Sequence, residues 1–260
     1  MPALKIGIQL KSLRLPFKSA LKTAAELGAQ AVEIDARGEF RPNELTGTGL
    51  RQLRKMLEDL NLRVCAVGYA TRRGYDVADD LERRVEGTKA AMKFAHDLGA
   101  SVVVNQVGRV PAESSGAAWQ QLVDVLRDLG NWGQHVGALL AAETGSESGA
   151  DLARLLAAVP QGIVGANLDP GNLIVNGFST IDAVHALGPA ILHVHAKDGV
   201  RDLAQGRGLE VPLGRGACDF PAVLGALEEH GYRGYFTIER SAGDDPLYEI
   251  GQAVKYLKEM

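Results

Sequence analysis

Four residues in the second half of this chain have side chains suited to holding a divalent cation: Glu143, Asp169, His195 and Glu239. Each closes a short, largely apolar run and precedes turn-forming residues: Leu140-Ala141-Ala142-Glu143-Thr144, Ala166-Asn167-Leu168-Asp169-Pro170, His193-Val194-His195-Ala196 and Phe236-Thr237-Ile238-Glu239. Glu143 and Asp169 lie 26 residues apart, as do Asp169 and His195, and the step to Glu239 is longer by about a glycine-rich loop. Three carboxylates crowded into a low-dielectric mouth repel one another and raise their pKa values. A bound divalent cation removes that conflict. Three oxygen donors with one imidazole suit Mn²⁺, Mg²⁺ or Co²⁺ and admit Zn²⁺. No thiolate accompanies them, which argues against a structural zinc site. A lone carboxylate at a strand end more often caps a helix or pairs within a loop. Four ligand types at four matching strand ends are harder to explain as four independent caps. His193 shares a face with His195 but lies deeper, as a histidine of the core or one backing the site.

The elements that must position these residues alternate short β-rich runs with longer helical patterns. Strands are expected at Lys5–Leu10, Ala31–Ala36, Arg63–Tyr69, Ser101–Gln106, Ala138–Thr144, Ile163–Asp169, Ile191–Ala196 and Tyr235–Arg240. Their Val, Ile, Leu and Ala content fits a parallel sheet covered by helices. Helical periodicity predicts Gly49–Asn61, Leu81–Leu98, Gly116–His135, Asp151–Val159, Ser179–Leu187, Asp219–His230 and Pro246–Met260. Gly28, Gly99 and Gly231 sit near helix ends, and Pro160 and Pro189 stop helices before the sixth and seventh strands. Eight strands with helices between them and no spare linker predict a single (β/α)8 TIM barrel over residues 1–260. An open doubly wound sheet would usually carry a glycine-rich phosphate loop after its first strand, and Gln9-Leu10-Lys11-Ser12-Leu13 is not one. The longest irregular stretch, Lys197–Cys218, contains Gly199, Gly206, Gly208, Gly214 and Gly216 and leaves the rim where barrels keep their active sites.

Bulk properties exclude several classes. The 260 residues match the roughly 250 of one such barrel. A formal net charge of -4 and a pI near 5.9 give no basic footprint, so nucleic acid is not an expected partner. Cys65 and Cys218 are far apart and form no CxxC motif, which favours a reducing compartment over a disulfide framework. The N-terminal Met1-Pro2-Ala3-Leu4-Lys5 has no secretory h-region, and no apolar run approaches the ~18 residues of a membrane span. The expectation is a soluble, cytoplasmic protein with no membrane partner.

The order Glu, Asp, His, Glu on successive late strands resembles the xylose isomerase-like barrels, the sugar phosphate isomerase/epimerase group. The resemblance covers essentially the whole chain. It is carried by Glu143-Thr144-Gly145, Asn167-Leu168-Asp169-Pro170-Gly171-Asn172, His193-Val194-His195-Ala196-Lys197-Asp198, Gly214-Arg215-Gly216 and Thr237-Ile238-Glu239-Arg240. It implies that Glu143, Asp169, His195 and Glu239 bind the metal. It further implies that Glu143 and Glu239 exchange protons on opposite faces of a carbohydrate carbon beside a carbonyl, through an enediolate. Arg201 matches an arginine that contacts substrate in the ketose epimerases, and Lys197 is expected to meet a substrate oxygen or pair with a carboxylate. Barrels of this group often pair, which admits a homodimer, and the sequence leaves the oligomeric state open. Two positions depart from the epimerases: Asn172 replaces a histidine facing the substrate, and Gly149 replaces a glutamate. The Lys197-Asp198 pair is closer to the inosose dehydratase branch, which eliminates water after a similar proton abstraction. The leading expectation is a metal-dependent sugar isomerase or epimerase. The alternatives are a dehydratase or lyase on a keto-inositol or 3-keto-sugar, or a sugar-binding barrel without catalysis.

Other residues carry weaker expectations. Glu33 and Asp35 point inward from the second strand and either reach the pocket or pair with Arg37, the pair being favoured. Asn105 and Gln106 offer hydrogen bonds to a polyol. Trp119 and Trp132 are read as packing. A three-metal endonuclease-type cluster would need extra histidines at the rim, whereas His96, His135, His185 and His230 fall in helical segments.

Overall fold

In the computed structural model, residues 3–38, 40–201 and 208–260 are described. Gly206, one of the loop glycines named above, lies outside them. The barrel strands are β1 (Lys5–Gln9), β2 (Ala31–Asp35), β3 (Arg63–Gly68), β4 (Val102–Asn105), β5 (Leu139–Glu143), β6 (Val164–Leu168), β7 (Ile191–Ala196) and β10 (Tyr235–Ile238). They form a closed parallel ring in which β1 pairs with both β2 and β10. All eight expected strands are present, most of them one or two residues shorter than the apolar runs suggest. The remaining two, β8 (Asp198–Val200) and β9 (Leu209–Val211), form an antiparallel ribbon within the stretch after β7 that looks irregular in sequence.

The helices are α1 (Phe17–Leu27), α2 (Gly47–Asp59), α3 (Leu81–Asp97), α4 (Ala117–Val136), α5 (Gly149–Leu156), α6 (Pro170–Val175), α7 (Thr180–Leu187), α8 (Phe220–Glu229) and α9 (Pro246–Lys258). Each longer helix turns one apolar face to the strands. In α4 that face is Trp119, Leu122, Val123, Leu126 and Leu129, all buried, as a 3.6-residue period requires. Side chains cap the starts of several: Thr46 accepts from Gly49 N, Ser148 from Asp151 N and Ser179 from Asp182 N. Among the described residues no helix is long and apolar enough to cross a membrane.

The core is divided by the ring. The large cluster lies between strands and helices, whereas a small one of Ala66, Val102, Val104 and Ala141, with Leu192 against it, fills part of the barrel. The rest of the interior is polar. Glu33, Asn167, His193, His195 and Thr237 are all buried, so the strands that look like uniform apolar runs carry hydrogen-bonding groups on their inward positions.

Candidate metal centre

Side chains alternate between the two faces of a strand, and here that alternation aims the ligands. In the parallel registers Glu143 lies beside Asn167, Asn167 beside His193, and His195 beside Thr237. One inward position further along, Asp169 and Glu239 follow at the C-terminal rim. The four expected ligands converge there, with one donor atom from each within 4.8 Å of the others. His195 Nδ1 faces all three carboxylates, at 2.8 Å from Glu239 Oε2, 3.2 Å from Glu143 Oε1 and 3.7 Å from Asp169 Oδ2.

Local structure fixes Asp169 and Glu239. Asp169 caps α6, its Oδ1 accepting from Asn172 N at 2.8 Å, while its own N–H donates to Thr144 Oγ1. Ser241 Oγ donates to Glu239 Oε1 at 2.8 Å, and Lys197 Nζ donates to the same oxygen at 3.1 Å. Lys197 is buried and also lies 3.5 Å from Asp169 Oδ2. Its stem runs over Gly171, where a Cβ would come within 2.7 Å of Lys197 Cγ.

The donor set fits a divalent cation. Asp169 Oδ2 and Glu239 Oε2 are buried without a hydrogen-bond partner, although Glu239 Oε2 approaches His195 Nδ1 closely. Buried polar atoms are rarely left unpaired, and these two point toward the common centre. The electrostatics carry the same signature. Burial pushes the Glu143 carboxyl above the usual range, and the Glu239 charge adds to this against the pull of His195. Burial also pushes Glu239 upward, but His195 and Lys197 outweigh it and hold that carboxyl at about 2. Burial works against the His195 charge, yet Glu33 and Glu239 raise its pKa well above the ordinary value. Without a metal, His195 and Lys197 thus supply the positive charge that the carboxylates require.

The centre lines a cavity of about 580 Å³ at the C-terminal rim, with Gln9, Asn105, Gln106 and Asn172 among its walls. A cavity of about 640 Å³ opens at the opposite end of the barrel, reaching Cys65 and His193 but none of the four ligands. The candidate metal centre therefore opens to the smaller cavity. Asn172 reaches Glu143 Oε1 through Nδ2 at 3.5 Å. Arg201 is exposed and absent from the cavity wall, its guanidinium lying beside Gly177. Gly149 opens α5 against α7, where a Cβ would sit 2.3 Å from Ala183 Cα. A glutamate cannot occupy that place without separating the helices.

Two sequence expectations need correction. Glu33 does not pair with Arg37, whose guanidinium donates to Ala70 O. It crosses the barrel to His195 Nε2, 2.8 Å away. Asn105 lines the cavity, but its amide is committed to Thr71 and to the Tyr75 hydroxyl. Sequence reasoning also missed Glu210 on β9. Its Oε1 accepts from Arg240 Nη1 at 2.6 Å and from Ser241 N at 2.9 Å, tying the ribbon to the loop after β10. Nothing in the spacing marked that residue.

Comparison with known proteins follows the same lines. A family model described as a xylose isomerase-like TIM barrel matches residues 21–260. An inosose dehydratase of Bacillus thuringiensis (strain Al Hakam) is 28% identical over 225 residues, covering 75% of this chain and 74% of the relative. A xylose isomerase domain protein from Planctomyces limnophilus superimposes with a TM-score of 0.87 at 26% identity, covering 99% of this chain and 97% of the other. A D-tagatose 3-epimerase-like protein (TM-score 0.78, 21% identity, 98% and 97% covered) shares the fold. So does an IOLI protein with a bound zinc atom (TM-score 0.78, 19% identity, 98% and 96% covered).

Proposed function

Because the chain belongs to the xylose isomerase-like TIM barrel family, we propose that it is a divalent-metal-dependent dehydratase acting on a keto-inositol or related keto-sugar. The observation that carries this reading is the cluster of Glu143, Asp169, His195 and Glu239, with its two glutamates unequally engaged. Similarity to an inosose dehydratase supports the substrate class. A cation of the Mn²⁺, Mg²⁺ or Co²⁺ type, or Zn²⁺ as in the IOLI protein, would polarise the substrate carbonyl and stabilise the enediolate charge.

The chain's own groups divide the remaining work. Hydrogen bonds to Glu143 converge on Oε1, and its carboxylate takes the proton from the carbon beside the carbonyl. The C–H electron pair moves into the carbonyl to give the enediolate. Its collapse forms a carbon–carbon double bond and expels the hydroxyl of the next carbon. Lys197 Nζ, a buried donor at the same wall, protonates that hydroxyl so that water leaves and an unsaturated ketone remains. Glu239, held by Lys197 and Ser241, stays ionised and holds the cation site.

A second reading is isomerisation or epimerisation, with Glu239 returning a proton to the opposite face. It is favoured by the presence of both glutamates in the lining of the same cavity. The arrangement at Gly149 and Asn172 weighs against a free ketohexose as substrate. Incubation with keto-inositols and ketoses in D₂O, followed by NMR and enone absorbance, separates the readings. Water loss with an enone product supports the dehydratase. Deuterium exchange into a stereoisomer without water loss supports the epimerase, and no exchange with any carbohydrate leaves only a sugar-binding barrel.

A further inference from the structure

Glu33 belongs to the half of the barrel that supplies none of the four ligands, yet it touches one of them. Its carboxylate is buried and reaches from β2 to β7. Oε2 lies 2.8 Å from His195 Nε2 and 3.4 Å from His193 Nε2, and Oε1 accepts from Gln9 Nε2 at 3.0 Å. On the far side of the ring, Asn167 Nδ2 stands 3.0 Å from His195 Nδ1. An ionised carboxylate only accepts hydrogen bonds, and a side-chain amide nitrogen only donates them. The Glu33 contact therefore requires a proton on Nε2, and a cation at the centre takes the place of the proton that Nδ1 otherwise turns toward Glu239 and Glu143.

We propose that Glu33 is a positioning residue that holds His195 as the Nε2–H tautomer, so that the Nδ1 lone pair faces the cation. This inference rests on the metal reading above and adds to it the residue that prepares the nitrogen ligand. A neutral imidazole has one donor nitrogen and one acceptor, and the partner of one sets the role of the other. Glu33 fixes the donor on the inner side. Gln9 steadies the carboxylate by holding its other oxygen. Removing such a partner of a metal-bound histidine typically weakens metal binding by about 10- to 100-fold.

The test is Mn²⁺ binding measured by calorimetry on the wild-type protein and on Glu33→Gln, whose amide can donate or accept and so no longer selects a tautomer. Mn²⁺ affinity should fall by about 10- to 100-fold. In the Zn²⁺-loaded wild type, NMR should show a downfield, slowly exchanging His195 Nε2 proton that moves upfield in Glu33→Gln. Gln9→Ala, which leaves Glu33 and His195 in place, should weaken Mn²⁺ binding by a smaller factor and serves if Glu33→Gln does not fold. Wild-type Mn²⁺ affinity in Glu33→Gln, or in Gln9→Ala where that variant alone folds, overturns the inference while leaving the metal reading intact. A wild-type protein that binds neither Mn²⁺ nor Zn²⁺ overturns both.

Discussion

At Lys197 two roles meet, because the ammonium that pairs with Glu239 and Asp169 is also, in the proposed dehydration, the donor to the departing hydroxyl. Replacing it with methionine keeps the stem but removes the proton. In Lys197→Met, water loss should fall by about 10²- to 10⁴-fold, while deuterium exchange at the carbon beside the carbonyl persists through Glu143. Parallel loss of both would show that the lysine serves binding alone. The charge on His195 sets a second expectation. Its pKa is raised well above the ordinary value, burial being outweighed by Glu33 and Glu239, so it is protonated across the neutral range in the metal-free protein. A cation must displace that proton to reach Nδ1. Apparent affinity should therefore climb with pH by about tenfold per unit and weaken on acidification. Calorimetry in two buffers of different ionisation enthalpy would count the released proton.

Among the elements, the β8/β9 ribbon depends on one side chain. The buried Asp198 carboxylate accepts from the backbone N–H groups of Gly199, Gly214, Gly216 and Cys218, at 2.8 to 3.1 Å. Those bonds hold the Gly214-Arg215-Gly216 turn beside the mouth. Asp198→Ala should cost roughly 2–4 kcal/mol, seen as an earlier denaturation midpoint, and should raise KM more than it lowers kcat. This element also shows where the sequence stopped being informative. The barrel strands were legible because each is a compact run of Val, Ile, Leu and Ala, and the convergence of the four candidate ligands because they end such runs. The ribbon was not, since three-residue strands joined through glycines leave no periodic pattern. Helix α6 is only six residues long and begins inside the Asp169-Pro170 turn. Helix α1 has a clear apolar face of Phe17, Ala20, Leu21 and Ala24, yet only its terminal Gly28 was singled out. Glu33 was assigned to Arg37 because that partner is near in sequence, whereas His195 lies 162 residues away. Arg201 was placed by resemblance alone, and the structure turns it toward Gly177 instead of the cavity.

For the whole molecule, the four candidate ligands come from the C-terminal ends of β5, β6, β7 and β10, and the proposed brace on His195 comes from β2. A cation at the centre therefore ties together strands from most of the ring, and its binding should appear as global stability. At a metal concentration 100 times Kd the gain is about 2.7 kcal/mol, which for a domain of this size is a rise of roughly 5–10 °C in Tm. A chelator should reverse it. An unchanged Tm with Mn²⁺, Mg²⁺, Co²⁺ and Zn²⁺ would contradict a resident metal.

The Asp169 carboxylate divides its labour atom by atom. Oδ1 starts a helix, and Oδ2 points into the cation site without a hydrogen-bond partner. Asparagine can perform the first task, since it is as good a helix cap as aspartate, but its amide nitrogen cannot perform the second. Asp169→Asn should leave the circular dichroism unchanged while removing metal binding and turnover. Such a variant would be a folded, silent copy of the protein, suited to capturing an unreacted sugar in the cavity and reading its identity directly.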